Sequence, residues 1–103
     1  MKKIEQGTLF PADGSPAKVV TPTNGKKFSL DELQKFVGGY IESVVCVKPY
    51  VRAFVNEEGA IKGDLQDNPH TWSVLNRRVY ALNGYAEGFR VSGNIIAVQL
   101  VQA

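Results

Sequence analysis

One segment constrains the fold more than any other: Phe28-Ser29-Leu30-Asp31-Glu32-Leu33-Gln34-Lys35-Phe36-Val37-Gly38-Gly39. Ser29 and Glu32 have the spacing of a capping box, in which the hydroxyl accepts from the Glu32 amide and the carboxylate accepts from the Ser29 amide. Phe28 and Leu33 stand where a hydrophobic staple places them. Apolar residues at 30, 33, 36 and 37 share one helical face. Gly38-Gly39 then stops the helix, because glycine takes the left-handed C′ conformation without Cβ strain. The spacing predicts a short helix over Leu30–Val37, too short to stand alone and requiring a surface for its apolar face.

The flanking segments supply that surface. Tyr40 to Val47 is rich in β-branched and aromatic residues and reads as a strand. After Lys48-Pro49, Tyr50 to Val55 reads as a second strand, ended by the turn-forming Asn56-Glu57-Glu58-Gly59. The two are expected to pair as an antiparallel hairpin. Thr8-Leu9-Phe10 and Ala17 to Thr21 read as short strands about Pro11-Ala12-Asp13-Gly14, and Phe89 to Val91 and Ile95 to Val101 as strands about Ser92-Gly93-Asn94.

A second helix is expected from Pro69 to Leu82. Asn68 would be its N-cap and Pro69 its first residue, with Trp72, Leu75, Val79 and Leu82 at helical spacing and Asn83-Gly84 as the stop. The reading is one α+β domain over residues 1–103, a mainly antiparallel β-sheet with two helices packed against it.

Function is constrained largely by exclusion. Twelve Lys and Arg against ten Asp and Glu give a net charge of +2, and no basic run exceeds two residues. A nucleic-acid surface usually carries a denser basic face, although folding can gather dispersed charges. A single cysteine, Cys46, rules out an intramolecular disulfide and fits a reducing compartment. No stretch reaches the ~20 apolar residues of a membrane span, and no signal-peptide core follows the basic start, so a cytoplasmic protein is expected.

Candidates for chemistry are few. Cys46 lies in the apolar run Val44-Val45-Cys46-Val47, a setting that opposes the lowered pKa a nucleophile needs. His70 is the only histidine, and it stands in the first turn expected of the second helix, where a proton opposes the dipole. An exposed, inert side chain is expected there. The acidic pairs Glu57-Glu58 and Asp64 with Asp67 lack the alternating oxygen ligands of a calcium loop. Gly38-Gly39 follows a helix and precedes a strand, the reverse of a phosphate-binding loop. Neither a catalytic residue, a metal nor a cofactor is expected. The residues most suited to binding are Arg77, Arg78, Tyr80 and Tyr85 with Trp72, since arginine and aromatic side chains dominate hot spots and base-stacking sites. Arg77 and Tyr80 fall on one flank of a helix at ~100° per residue.

The run Phe28 to Glu42, followed by Val55-Asn56-Glu57-Glu58-Gly59, resembles a family of small proteins from bacteriophages and mobile elements of gut and soil bacteria. Those carry a similar helix, Gly-Gly-Tyr-Ile-Glu stretch and Asn-Glu-Glu-Gly turn. Leu65 to Asn68 and Gly93-Asn94-Ile95-Ile96 match later features of the family loosely, whereas Trp72 to Arg90 departs from it. The family has no agreed activity, so the resemblance implies origin alone: a phage-type protein made in the bacterial cytoplasm. The expected function is non-enzymatic and stoichiometric. It is the capture of a host protein or of a small anionic, nucleotide immune signal, as a possible homo-oligomer. A nucleic-acid-binding regulator using Arg77, Arg78 and Arg90 is the alternative.

Overall fold

A computed structural model describes residues 2–58, 67–76 and 91–102. Five strands make one antiparallel sheet: β1 (Lys3–Phe10), β2 (Lys18–Val20), β3 (Ile41–Val44), β4 (Arg52–Asn56) and β5 (Ile95–Gln102), in the order β2-β1-β5-β4-β3. β5, near the C-terminal end, lies at the centre and pairs with β1 from Ile95↔Phe10 to Gln102↔Lys3. Its other edge pairs with β4. Ile95, Ile96, Ala97 and Val98 are fully buried, as a strand covered on both faces requires. The expected hairpin is present, with Ile41↔Asn56 and Val44↔Ala53 in register between β3 and β4.

Helix α1 (Leu30–Val37) has the expected bounds, with both halves of the Ser29–Glu32 capping box formed. Gly38 closes it at φ 79°, in the left-handed region. Leu33 and Val37 pack with Phe28, Leu9, Phe54, Ile96 and Val98 on one face of the sheet. The other face is covered around Phe10, Ala53, Val55, Ile95 and Ala97 by Val74, Leu75 and Val91, with Cys46, Tyr50 and Trp72 partly buried against them.

Two elements differ in extent from those expected. β1 begins at Lys3 instead of Thr8. Glu5 and Gly7 are poor strand formers, but Glu5 is buried beneath an ion pair with Arg52 and accepts from the Phe28 amide at 2.9 Å. Gly7 gives Phe28 the space its ring occupies, since a Cβ there would lie 2.9 Å from that ring. The second helix is shorter than expected, α2 (Thr71–Val74). Leu75 leaves it at φ −94°, ψ 149° and bridges Cys46, while Val47 donates to the Val74 carbonyl at 2.8 Å. Pairing with the chain after β3 and burial of Leu75 to 1% exposure prevail over the helical periodicity. Residues 77–82, the remainder of the expected helix, lie outside the described residues.

Asn68 does not cap the helix. Its amide donates to the carbonyls of Phe10 (2.8 Å) and Gly93 (3.0 Å), its oxygen accepts from the His70 amide, and His70 takes the N-cap position. Asn94 ties a second junction, accepting from Ala12 and donating to the Phe36 carbonyl. Asparagine side chains thus bind loops to element ends as substitutes for backbone pairing.

Candidate functional site

The helix stop that Gly38 makes also shapes a cleft. Chain leaving α1 turns through Gly39 and Tyr40 into β3, which runs beside the end of β4. Asn56, 5% exposed, ties the end of α1 to the end of β4: its amide donates to the Val37 carbonyl at 3.2 Å and its oxygen accepts from the Glu58 amide at 2.8 Å. The Glu57 amide donates to the Tyr40 carbonyl at 3.0 Å. Between these lips lies an open cleft of about 410 Å³, lined by Gln34, Gly39, Tyr40, Asn56 and Glu58. That volume is within the range of small-molecule sites.

The lining has a definite chemical character. Tyr40 is 65% exposed, so its ring stands open to solvent at the edge of the cleft. Gln34 adds a carboxamide from the last turns of α1, and Glu58 a carboxylate. Among the described residues, no lysine or arginine lines the cleft. Gly39 is required by close approach, because a Cβ there would lie 2.9 Å from the Asn56 amide nitrogen.

The residues expected to bind a ligand, Arg77, Arg78, Tyr80 and Tyr85, lie outside the described residues, as do Asp64 and Arg90. Trp72 is described and packs partly buried against the core. Cys46 is half-buried, its thiol directed at the Tyr50 carbonyl at 3.5 Å, and burial pushes its pKa up, only partly countered by a backbone amide. His70 differs from the exposed state expected of it. It is half-buried, its ring 5.6 Å from that of Phe10 and its Nε2 3.0 Å from the Ser15 carbonyl. Among the described residues, no group of three His, Cys, Asp or Glu side chains could hold a metal ion. None of the described helices is long and apolar enough to cross a membrane.

Sequence reasoning passed over Gln34 and Tyr40, and weighed Glu58 only as half of an acidic pair. The available signal was Gly-Gly followed directly by tyrosine, an aromatic set immediately after a helix stop. Neither family models, curated proteins nor solved structures provide a match for the chain.

Proposed function

We propose that the protein is a non-enzymatic binder of bacteriophage type that acts stoichiometrically, holding a host protein or a small nucleotide signal of bacterial immunity at the Tyr40 cleft. The observation that carries this reading is the cleft itself, whose two lips are fixed by the Asn56 carboxamide and the Tyr40–Glu57 backbone bond. A preformed site loses little ordering entropy when a ligand enters. A non-catalytic role is supported by the two side chains best suited to covalent and acid–base chemistry, since Cys46 and His70 are each engaged with a backbone carbonyl. Burial also raises the thiol pKa, against the direction a nucleophile requires.

Calorimetric titration with a panel of cyclic di- and trinucleotides and with host-cell extract fractions tests the reading. The expected result is saturable, one-to-one binding, recovery of chemically intact ligand, and loss of the heat in Tyr40→Ala. Turnover of a bound ligand, or binding unaffected by Tyr40→Ala, would overturn it.

A further inference from the structure

Asn24-Gly25 lies exposed in the loop that joins β2 to α1. Asparagine followed by glycine is the pair most prone to spontaneous deamidation, because no side chain shields the next backbone nitrogen. That nitrogen loses its proton to hydroxide and attacks the side-chain carbonyl carbon. The new N–C bond closes a succinimide ring, the bond from that carbon to Nδ2 breaks, and Nδ2 leaves as ammonia. Water then opens the ring to aspartate or isoaspartate. A Cβ at Gly25 would meet nothing within 4 Å, so water and hydroxide have free access here.

The folded loop holds both reacting groups back. The Gly25 N–H donates to the Pro22 carbonyl at 3.0 Å and closes a β-turn. Bringing the Gly25 nitrogen onto the Asn24 side chain rotates the peptide between them, and that rotation breaks the turn. The Asn24 Oδ1 accepts from the Lys26 and Lys27 amides at 2.8 and 2.9 Å, which fixes the carboxamide. The loop is also anchored on both sides. Thr23 donates to the Glu32 carboxylate of α1 through its amide and hydroxyl, and the Lys26 carbonyl accepts from the Glu5 amide of β1. We propose that Asn24-Gly25 is a self-modifying site guarded by the fold, which deamidates from an opened loop and so marks chains whose loop has released its anchor on α1. The product carries a new carboxylate beside Lys26 and Lys27, taking the formal net charge from +2 to +1. This goes beyond the binding function proposed above and does not depend on it.

The test incubates the full chain in mildly alkaline buffer, folded and in urea, and follows amide-to-acid conversion at position 24 by mass-spectrometric peptide mapping. The folded chain should convert at least about tenfold more slowly than the unfolded one, because reaction then waits on a local opening. Glu32→Ala removes the anchor on α1 and should raise the folded rate, with hydrogen exchange at the Gly25 amide rising by a similar factor. Thr23→Val removes only the hydroxyl donor, leaves the capping box intact and should give a smaller rise in both, which keeps the test in hand if Glu32→Ala does not fold. Equal rates in the folded and unfolded chains would overturn the proposal. So would a faster folded rate, in which the Lys26 and Lys27 amides would be stabilising the attacked oxygen as an oxyanion hole does. A variant that frees the Gly25 amide to exchange but leaves deamidation unchanged would overturn it as well.

Discussion

Gly39 and Asn56 show how much one missing side chain can determine. A Cβ at position 39 would press on a buried carboxamide that already bonds α1 to the end of β4. Gly39→Ala is therefore expected to displace Asn56 and destabilise the chain by about 1–3 kcal/mol, the cost of leaving buried polar groups unpaired. A thermal or urea midpoint equal to that of the parent chain would show that the carboxamide moves aside freely. Glu32 gives a second residue-scale expectation. Hydrogen bonds from the Ser29 amide, then from the Thr23 amide and hydroxyl, hold its pKa down from 4.5 to about 2. A depressed carboxylate stabilises the fold above its unfolded pKa and loses that contribution as pH falls toward the folded value. Stability should thus decline between about pH 4.5 and 2, and more steeply in the parent than in Glu32→Gln. Identical acid-denaturation slopes for the two proteins would contradict this. The capping box was legible in the sequence because all its partners lie within three residues. The clamp of Asn56 was not, because its partners come from different elements.

At the scale of elements, the same distinction separates the two helices. α1 carries its own start, face and stop, and local signals alone define its length. α2 has apolar residues at helical spacing on both sides of its end, yet Leu75 pairs with Cys46. That partner lies far off in sequence, and propensity contains no term for it. β1 was under-read for a related reason: Glu5 and Gly7 tolerate a strand because Arg52, two strands away, pairs with Glu5 and the Phe28 ring packs over Gly7. β5 is where these distant pairings meet. Ile96→Ala, at a fully buried site between α1 and the sheet, should cost about 2–5 kcal/mol. Leu30→Ala, at an exposed helical position, should remain within about 0.5 kcal/mol of the parent. Chemical denaturation of both variants checks the ranking, and comparable losses would mean that β5 is not the core.

For the whole molecule the deciding quantity is where the charge goes. The Glu5 amide bonds the Lys26 carbonyl at 2.8 Å, which brings Lys26 and Lys27 alongside the strand that begins with Lys3. The sequence separates Lys2-Lys3 from Lys26-Lys27, so this gathering could not be read from it. The same end is not uniformly basic, however. Glu5 neutralises Arg52, and Glu32 is tied to Thr23 in the loop just before these lysines. Four phosphate contacts would give a salt slope of about −3.6 in a plot of log affinity against log salt, at ~0.9 per phosphate. Interspersed carboxylates should reduce that further. The expected result is that a short DNA duplex shows no retarded band at physiological salt, and that any low-salt complex has a slope shallower than −3.6. A steeper slope would require more than four neutralised phosphates, and so basic residues beyond these four lysines. It would then favour a nucleic-acid-binding regulator over a protein that holds its ligand at the Tyr40 cleft.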